Sequence, residues 1–126
     1  MTTWTSDELR RVGAADELQV AATRDDGTLR PATTIWVVPD GGDVYVRAAN
    51  GTGSVWYRGT RARHEGHIRA GGVDRDVTFT DVPGDDPVHE RIDAGYRSKY
   101  RRYDAGYVTA MLAPAARAAT LKLTPR

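Results

Sequence analysis

The sequence contains no cysteine, only two lysines and one phenylalanine. Without cysteine the chain has no disulfide bond, no thiolate metal ligand and no cysteine nucleophile. Lys99 and Lys122 are the two lysines, so arginine carries almost all of the positive charge. We attribute this preference to a coding bias toward arginine rather than to a binding role.

The chain also lacks the signals that direct a protein into or across a membrane. No segment approaches the roughly 18 apolar residues that a membrane-spanning helix needs. The first residues lack a charged segment followed by an apolar run, which is the pattern of a secretory signal. The formal net charge is +1, so no overall charge attracts the protein to nucleic acid or to a membrane surface. We therefore expect a cytoplasmic protein with no nucleic-acid partner and no membrane partner.

The length of 126 residues suits one domain with one core. We predict a single domain over residues 1–126 that begins with a helix at 1–14. Thr5 and Glu8 have the spacing of a capping box, in which each side chain bonds the backbone of the other residue. Gly13 is expected to end this helix.

The next part of the chain has the pattern of β-strands. We predict the main strands over residues 17–82, around a short helix at 54–61 that Ser54 caps. The individual strands are expected at Leu18–Thr23, Leu29–Val38, Val44–Ala49, His64–Ala70 and Val73–Val82. Tight turns with aspartate and glycine separate the first three strands and predict an antiparallel meander.

The last third is mainly helical. Asp86 and Pro87 are typical of a helix start, and we predict one long helix over 86–103. Its apolar residues recur every four positions and form one stripe, which comprises Val88, Ile92, Tyr96 and Tyr100. A closing strand is expected at 118–124. Six strands without a βαβ rhythm predict a barrel or a curled antiparallel sheet.

The best candidate site lies at the glycine-rich loop Asn50–Ser54 and the helix start behind it. Unpaired backbone N–H groups at a helix start attract anions, and glycine lets the backbone approach a ligand. Arg47, Arg58 and Arg61 lie near in sequence and could neutralise a phosphate. The pattern indicates an anion site, although such a loop is more often only a connection between elements.

Other chemistry-bearing residues have structural explanations. His64 and His67 are three positions apart, so on a strand they point to opposite faces, and we expect no metal site. The three serines lie outside any nucleophile-elbow motif. Basic and aromatic residues alternate over Tyr96–Tyr103, as in some nucleic-acid-binding segments. We favour a buried tyrosine stripe with a solvated arginine face.

Five segments carry a family resemblance that spans most of the chain in order. They are Arg30–Val38, Val44–Gly51, Ser54–Arg58, Gly66–Gly72 and Ile92–Tyr100. Together they resemble the flavin-binding split-barrel superfamily, which includes pyridoxamine-phosphate oxidases and deazaflavin-dependent reductases. The nearest resemblance is to an uncharacterised bacterial domain-of-unknown-function family within that superfamily.

The resemblance implies an α+β, mainly β fold: an antiparallel six-stranded split β-barrel with flanking helices. It also implies a homodimer whose protomers share a pocket for FMN or 8-hydroxy-5-deazaflavin, and hydride transfer to a small organic acceptor. No catalytic side chain is expected, because the cofactor ring carries the hydride. The residues expected to contact the cofactor are Arg30, Thr33, Thr34, Arg47, Asn50, Ser54, Trp56 and Arg58.

One position departs from the family pattern. Two residues after Ser54, where many of these flavin binders have lysine or arginine, this chain has Trp56. Arg58 or Arg47 would have to supply the missing cation. The departure leaves open a deazaflavin with a longer anionic tail, and also a pocket without a cofactor. The alternative function is therefore a non-catalytic carrier or sensor of a small planar anionic ligand.

Overall fold

The computed structural model describes residues 3–126, so the first two residues of the predicted helix 1–14 lie outside the described residues. The helices are α1 (Ser6–Ala14), α2 (Val55–Thr60), α3 (Val88–Lys99), α4 (Ala105–Leu112) and α5 (Pro114–Ala118). The strands are β1 (Leu18–Ala22), β2 (Thr33–Ile35), β3 (Val38–Asp40), β4 (Asp43–Arg47), β5 (Glu65–Ala70), β6 (Val73–Asp81) and β7 (Thr120–Pro125). A 3-10 turn covers Gly51–Gly53.

The strands form one curled antiparallel sheet. Their order is β2-β1-β5-β6-β7-β4-β3, so β2 and β3 occupy opposite edges. Ile35 ends β2 and Val38 begins β3, and three residue steps span at most about 11 Å. The two edges must therefore come close together, which curls the sheet into a half-barrel. The predicted α+β, mainly β split-barrel class is confirmed.

The predicted count of six strands is wrong, because the predicted strand Leu29–Val38 is broken. Its first part pairs with β1 and its second part pairs with β4. Between them the N–H of Val37 donates to Tyr100 Oη (3.0 Å), and the carbonyl of Val37 accepts from Lys99 Nζ (2.8 Å). Side chains at the end of α3 thus take the backbone bonds that a neighbouring strand would make.

The capping box at α1 is confirmed. The hydroxyl of Thr5 accepts from the N–H of Glu8, and the carboxylate of Glu8 accepts from the N–H of Thr5. Gly13, however, lies inside the helix, which ends at Ala14. A Cβ at Gly13 would come 2.9 Å from Cγ of Pro39, so this glycine permits close packing of α1 on β3.

The predicted helix 86–103 is shorter than expected and is followed by two more helices. Asp86 caps it by accepting from the N–H of Val88, and the stripe from Val88 to Tyr100 is buried as predicted. Helical geometry stops at Tyr100, whose hydroxyl donates to the carbonyl of Asp16 (2.7 Å). The predicted closing strand 118–124 begins later, at Thr120, because α5 occupies the chain through Ala118.

Two apolar clusters hold these elements together. The larger one fills the inside of the curled sheet and includes Leu18, Ile68 and Phe79. The smaller one lies between α3, α4 and the outer face of β3 and β4, and includes Tyr96 and Met111. No helix within residues 3–126 is both long and apolar enough to cross a membrane.

Candidate functional site

The main candidate site is a cavity of about 620 Å³ at the open side of the half-barrel. Strand β3 pairs with β4 only as far as Tyr45. At Val46 and Arg47, β4 pairs with β7 on one side and with no strand of the described chain on the other. This free side of β4 and the edge strand β2 both border the cavity. We call it the split pocket; it is lined by Thr33, Thr34, Ile35, Trp36, Arg47, Ala49, Asn50, Ser54, Val55, Trp56, Tyr103, Tyr107, Ala110 and Met111.

Six of the eight predicted cofactor-binding residues line the split pocket. They are Thr33, Thr34, Arg47, Asn50, Ser54 and Trp56. Arg30 and Arg58 line a neighbouring cavity instead. The structure therefore gathers the predicted hydroxyl, amide and aromatic groups in one place and separates two of the predicted cations from them.

Arg47 is buried, and its guanidinium is engaged inside the protein. Nε donates to Oγ1 of Thr120 (3.0 Å), and Nη1 donates to Asp93 Oδ1 (2.6 Å) and to the carbonyl of Met111 (2.9 Å). Nη2 lies 3.1 Å from Nδ1 of His89. The cation predicted to neutralise a phosphate is thus committed to holding β4, α3 and α4 together.

Aromatic rings form much of the wall of the split pocket. Trp36 stacks on Tyr100 with ring centroids 3.9 Å apart and planes 3° from parallel, and Tyr103 tilts against Trp36 at 5.2 Å. Tyr107 on α4 is 67% exposed at the pocket. Such a wall suits a planar apolar ring, which would bury these faces.

Sequence reasoning missed the contribution of α4 to this wall. The predicted long helix 86–103 ends before this segment, whereas Tyr107, Ala110 and Met111 of α4 line the pocket together with Tyr103, which precedes the helix. A signal was present at Asp104, whose carboxylate caps the helix by accepting from the N–H of Gly106. No charged residue occurs within α4, although much of it is exposed.

The predicted anion-binding loop Asn50–Ser54 borders the split pocket, but its helix start offers less attraction for an anion than the sequence pattern suggests. Ser54 is the N-cap residue of α2, yet its side chain makes no capping hydrogen bond with any residue in the described range 3–126. Helix α2 has six residues, so its dipole is small. Gly51 has φ +78° and packs against Ala115, which explains why glycine is needed there.

The neighbouring cavity has a volume of about 620 Å³ and is lined mainly by charged side chains. We call it the arginine pocket; it is lined by Arg24, Asp25, Asp26, Arg30, Val55, Arg58, Gly59 and Ala62. Hydrogen bonds from Thr28 lower the pKa of the Asp26 carboxyl. Arg24 donates to the carbonyl of Leu29 (3.0 Å). Arg30 and Arg58 form no ion pair with any residue between 3 and 126.

The three histidines have protein partners or lie apart from the pockets. His89 is buried; its Nε2 donates to the carbonyl of Pro83 (2.9 Å), which leaves Nδ1 to accept from Arg47. His67 lies between the carboxylates of Asp74 and Asp76, which raises the pKa of its imidazole. His64 adopts a left-handed backbone with φ 55°. No cluster suited to a metal ion occurs in the described part of the chain.

Comparisons with known proteins agree with this architecture. The family model described as "Uncharacterized protein conserved in bacteria (DUF2255)" matches residues 8–123. No curated protein is significantly similar to the chain in sequence.

Several solved structures share the fold. The heme storage protein HutZ from Vibrio cholerae superposes with a TM-score of 0.66 at 13% identity, over 95% of this chain and 87% of HutZ. An F420-H2-dependent reductase, FDR-A, superposes with a TM-score of 0.61 at 18% identity, over 86% of this chain and 93% of the reductase. An FAD-binding protein from Mesorhizobium loti superposes with a TM-score of 0.55 at 16% identity, over 98% of this chain and 89% of the FAD-binding protein. At such low identity the likeness establishes the fold alone, and that fold is the split barrel that the sequence resemblance implies.

Proposed function

The chain belongs to the bacterial family DUF2255, and we propose that it binds a flavin-type cofactor in the split pocket and transfers hydride to a small organic acceptor. The observation that carries the proposal is the pocket wall, where Trp36, Trp56 and two tyrosines surround a cavity of about 620 Å³. The shared fold of the F420-dependent reductase and the FAD-binding protein supports it.

The residues present fit such a cofactor. The indole rings of Trp36 and Trp56 would cover an apolar ring and exclude water from it. Polar ring edges would meet Thr33, Thr34, Asn50 and Ser54, whose side chains include donors and acceptors. When bound, the ring itself supplies the hydride chemistry, so the chain binds and orients rather than acting as acid or base.

The alternative function is a non-catalytic carrier or sensor of a planar anionic ligand. The structural likeness to HutZ, a heme storage protein, favours this alternative. The usual axial ligand of heme iron is histidine, with tyrosine or methionine in fewer proteins, and Tyr103, Tyr107 and Met111 do line the pocket. None of the three histidines, all within the described range, lines the split pocket. We therefore favour a metal-free ring over heme for this site.

The predicted homodimer belongs to the same proposal, as does the predicted cytoplasmic location. Val55 is 69% exposed and Tyr107 is 67% exposed, and both border the split pocket. A contiguous patch of exposed apolar side chains marks an interaction surface, and we propose that these two belong to one. A second copy of the chain would cover them and deepen the pocket. Light scattering on the purified protein measures the oligomeric state.

Cofactor titration tests the proposal. We expect FMN, FAD or a deazaflavin such as F420 to quench the fluorescence of Trp36 and Trp56 at micromolar concentration. Thr34→Glu places a negative charge in the pocket and should weaken binding about tenfold or more, equivalent to roughly 1.4 kcal/mol. Thr80→Glu, at an exposed threonine of β6, is the matched control and should leave binding unchanged.

The same protein then separates the two functions. Steady oxidation of the reduced cofactor by a quinone or nitro acceptor supports the reductase. Binding without turnover supports the carrier. Absence of quenching by all three cofactors at ~100 µM would contradict the reductase, because a Kd above that concentration corresponds to a binding free energy weaker than about 5.5 kcal/mol.

A further inference from the structure

Three neighbouring cavities of the molecule share lining residues, and we call the three together the groove. Between the split pocket and the arginine pocket lies a cavity of about 190 Å³ that is bordered by Arg30, Thr33, Val55 and Trp56, among others. Thr33 and Trp56 also border the split pocket, Arg30 also borders the arginine pocket, and Val55 borders both. These shared walls join an aromatic end to a charged end.

The split pocket can hold a ring but has no free positive charge. Arg47 is the one charged side chain among its lining residues. It is buried, and four of its five N–H donors are taken by Thr120, Asp93, Met111 and His89. A phosphate or carboxylate placed beside the ring would therefore find hydroxyl and amide donors but no available cation. An anionic group gains more at the other end of the groove.

Arg30 and Arg58 supply that charge, and the fold holds them on the same side of α2. A Cβ at Gly59 would come 2.8 Å from Cδ and 3.0 Å from Nε of Arg30, so the Arg30 side chain lies directly on the helix backbone. The N–H of Arg30 donates to the carbonyl of Ala22 (2.9 Å), which fixes its place on the chain. Both arginines border the arginine pocket.

The charge of the arginine pocket is moderate. Three arginines, at 24, 30 and 58, face two aspartates, at 25 and 26, which leaves a net charge of +1. An isolated anion would therefore bind weakly. An anion tethered to a ring that is already bound benefits from a high effective concentration.

We infer that the ligand of the split pocket is a planar ring with a long anionic tail, which passes Val55 and Trp56 and ends at Arg30 and Arg58. This inference rests on the proposed function. Trp56 acts as the wall around which the tail passes, in the place where a cation would hold a short phosphate close to the ring. The ligand class is thus a dinucleotide flavin or a tailed deazaflavin rather than a mononucleotide.

Ligands that share one ring but differ in the tail test the inference. We expect riboflavin and FMN to bind with similar affinity and FAD to bind at least about tenfold more tightly, by roughly 1.4 kcal/mol. Arg30→Ala and Arg58→Ala should each remove most of this advantage and leave riboflavin binding unchanged. Arg97→Ala, at an exposed arginine that borders none of these three cavities, should change neither affinity.

The outcomes separate this inference from the proposed function. If riboflavin, FMN and FAD all fail to bind, as does F420, the proposed function itself is wrong. If riboflavin binds and FAD binds no more tightly, or if both arginine variants keep the FAD advantage, the tail assignment is overturned while the ring site stands. Arg58 is exposed, so its variant is expected to fold, and circular dichroism checks this. Millimolar inorganic phosphate should compete poorly with FAD, whereas strong competition would indicate an independent phosphate site.

Discussion

The guanidinium of Arg47 donates to the carboxylate of Asp93 across 2.6 Å, with the arginine side chain fully buried. The pair joins β4 to α3, and the bond from Arg47 to the carbonyl of Met111 adds α4. Arg47, which the sequence pattern associates with the anion-binding loop, therefore stabilises the elements that surround the split pocket. Removing one partner of such a pair leaves a buried charge without compensation.

Arg47→Met should destabilise the protein by about 3 kcal/mol, because the partly buried Asp93 and the buried His89 both lose their partner. Urea unfolding followed by circular dichroism measures the free energy of unfolding. Arg97→Met on the exposed face of α3 is the control. A loss below about 1 kcal/mol together with much weaker ligand binding would instead assign Arg47 to the ligand.

Tyr100→Phe should cost about 1–3 kcal/mol of stability, because the N–H of Val37 loses its acceptor at a buried position. The phenyl ring keeps the stacking with Trp36, so the variant tests the hydroxyl alone. Tyr107→Phe, at an exposed tyrosine, should stay within about 0.5 kcal/mol of the wild type. Equal effects of both changes on thermal unfolding would contradict the assigned role.

Gly95→Ala should be destabilising by about 1–3 kcal/mol, since the new methyl group would overlap Cγ1 of Val38 where α3 packs on β3. The direction of this stability change is informative, because replacing glycine with alanine ordinarily stabilises a helix. Gly84→Ala meets no atom within 4 Å and is the control. The double variant Gly95→Ala with Val38→Ala relieves the overlap, and unchanged stability of Gly95→Ala alone would refute the contact.

Burial lowers the pKa of Lys99 to about 8, below its ordinary value of 10.5. Between these values the unfolded chain binds more protons than the folded one, so the contribution of Lys99 to stability rises with pH from about 8 to 10.5. Lys99→Met should flatten this rise in the free energy of unfolding, whereas Lys122→Met should not. The same slope in the wild type and in Lys99→Met would exclude Lys99 as its source.

Hydrogen bonds to Asp76 and then to Asp74 raise the pKa of His67 above its ordinary value of 6.5. The stabilisation by this imidazolium is complete below pH 6.5 and is lost as the pH rises through the higher folded-state value. His67→Gln should therefore reduce the difference in the free energy of unfolding between pH 6 and pH 9. Titration of the imidazole by NMR gives the pKa directly, and a value at or below 6.5 would contradict the expectation.

Local features of the chain were predictable because their partners are near in sequence. The capping box of Thr5 and Glu8 and the buried stripe from Val88 to Tyr100 depend on spacings of three and four residues. The family resemblance added the barrel class and six of the residues that line the split pocket. It did not locate α4 beside them, since no local pattern states which helix covers a sheet edge.

The sequence by itself determined the strand-rich order, the capped starts of α1 and α3 and the glycine-rich loop, because each depends on neighbouring residues and their backbone preferences. The tertiary structure alone decided the break at Val37, whose hydrogen-bond partner Tyr100 is 63 residues away. It also decided where the arginines lie: Arg47 is buried, whereas Arg30 and Arg58 line the arginine pocket and form no ion pair within residues 3–126. Which charges remain available to a ligand depends on long-range pairing, and that pairing exists only once the sheet has curled.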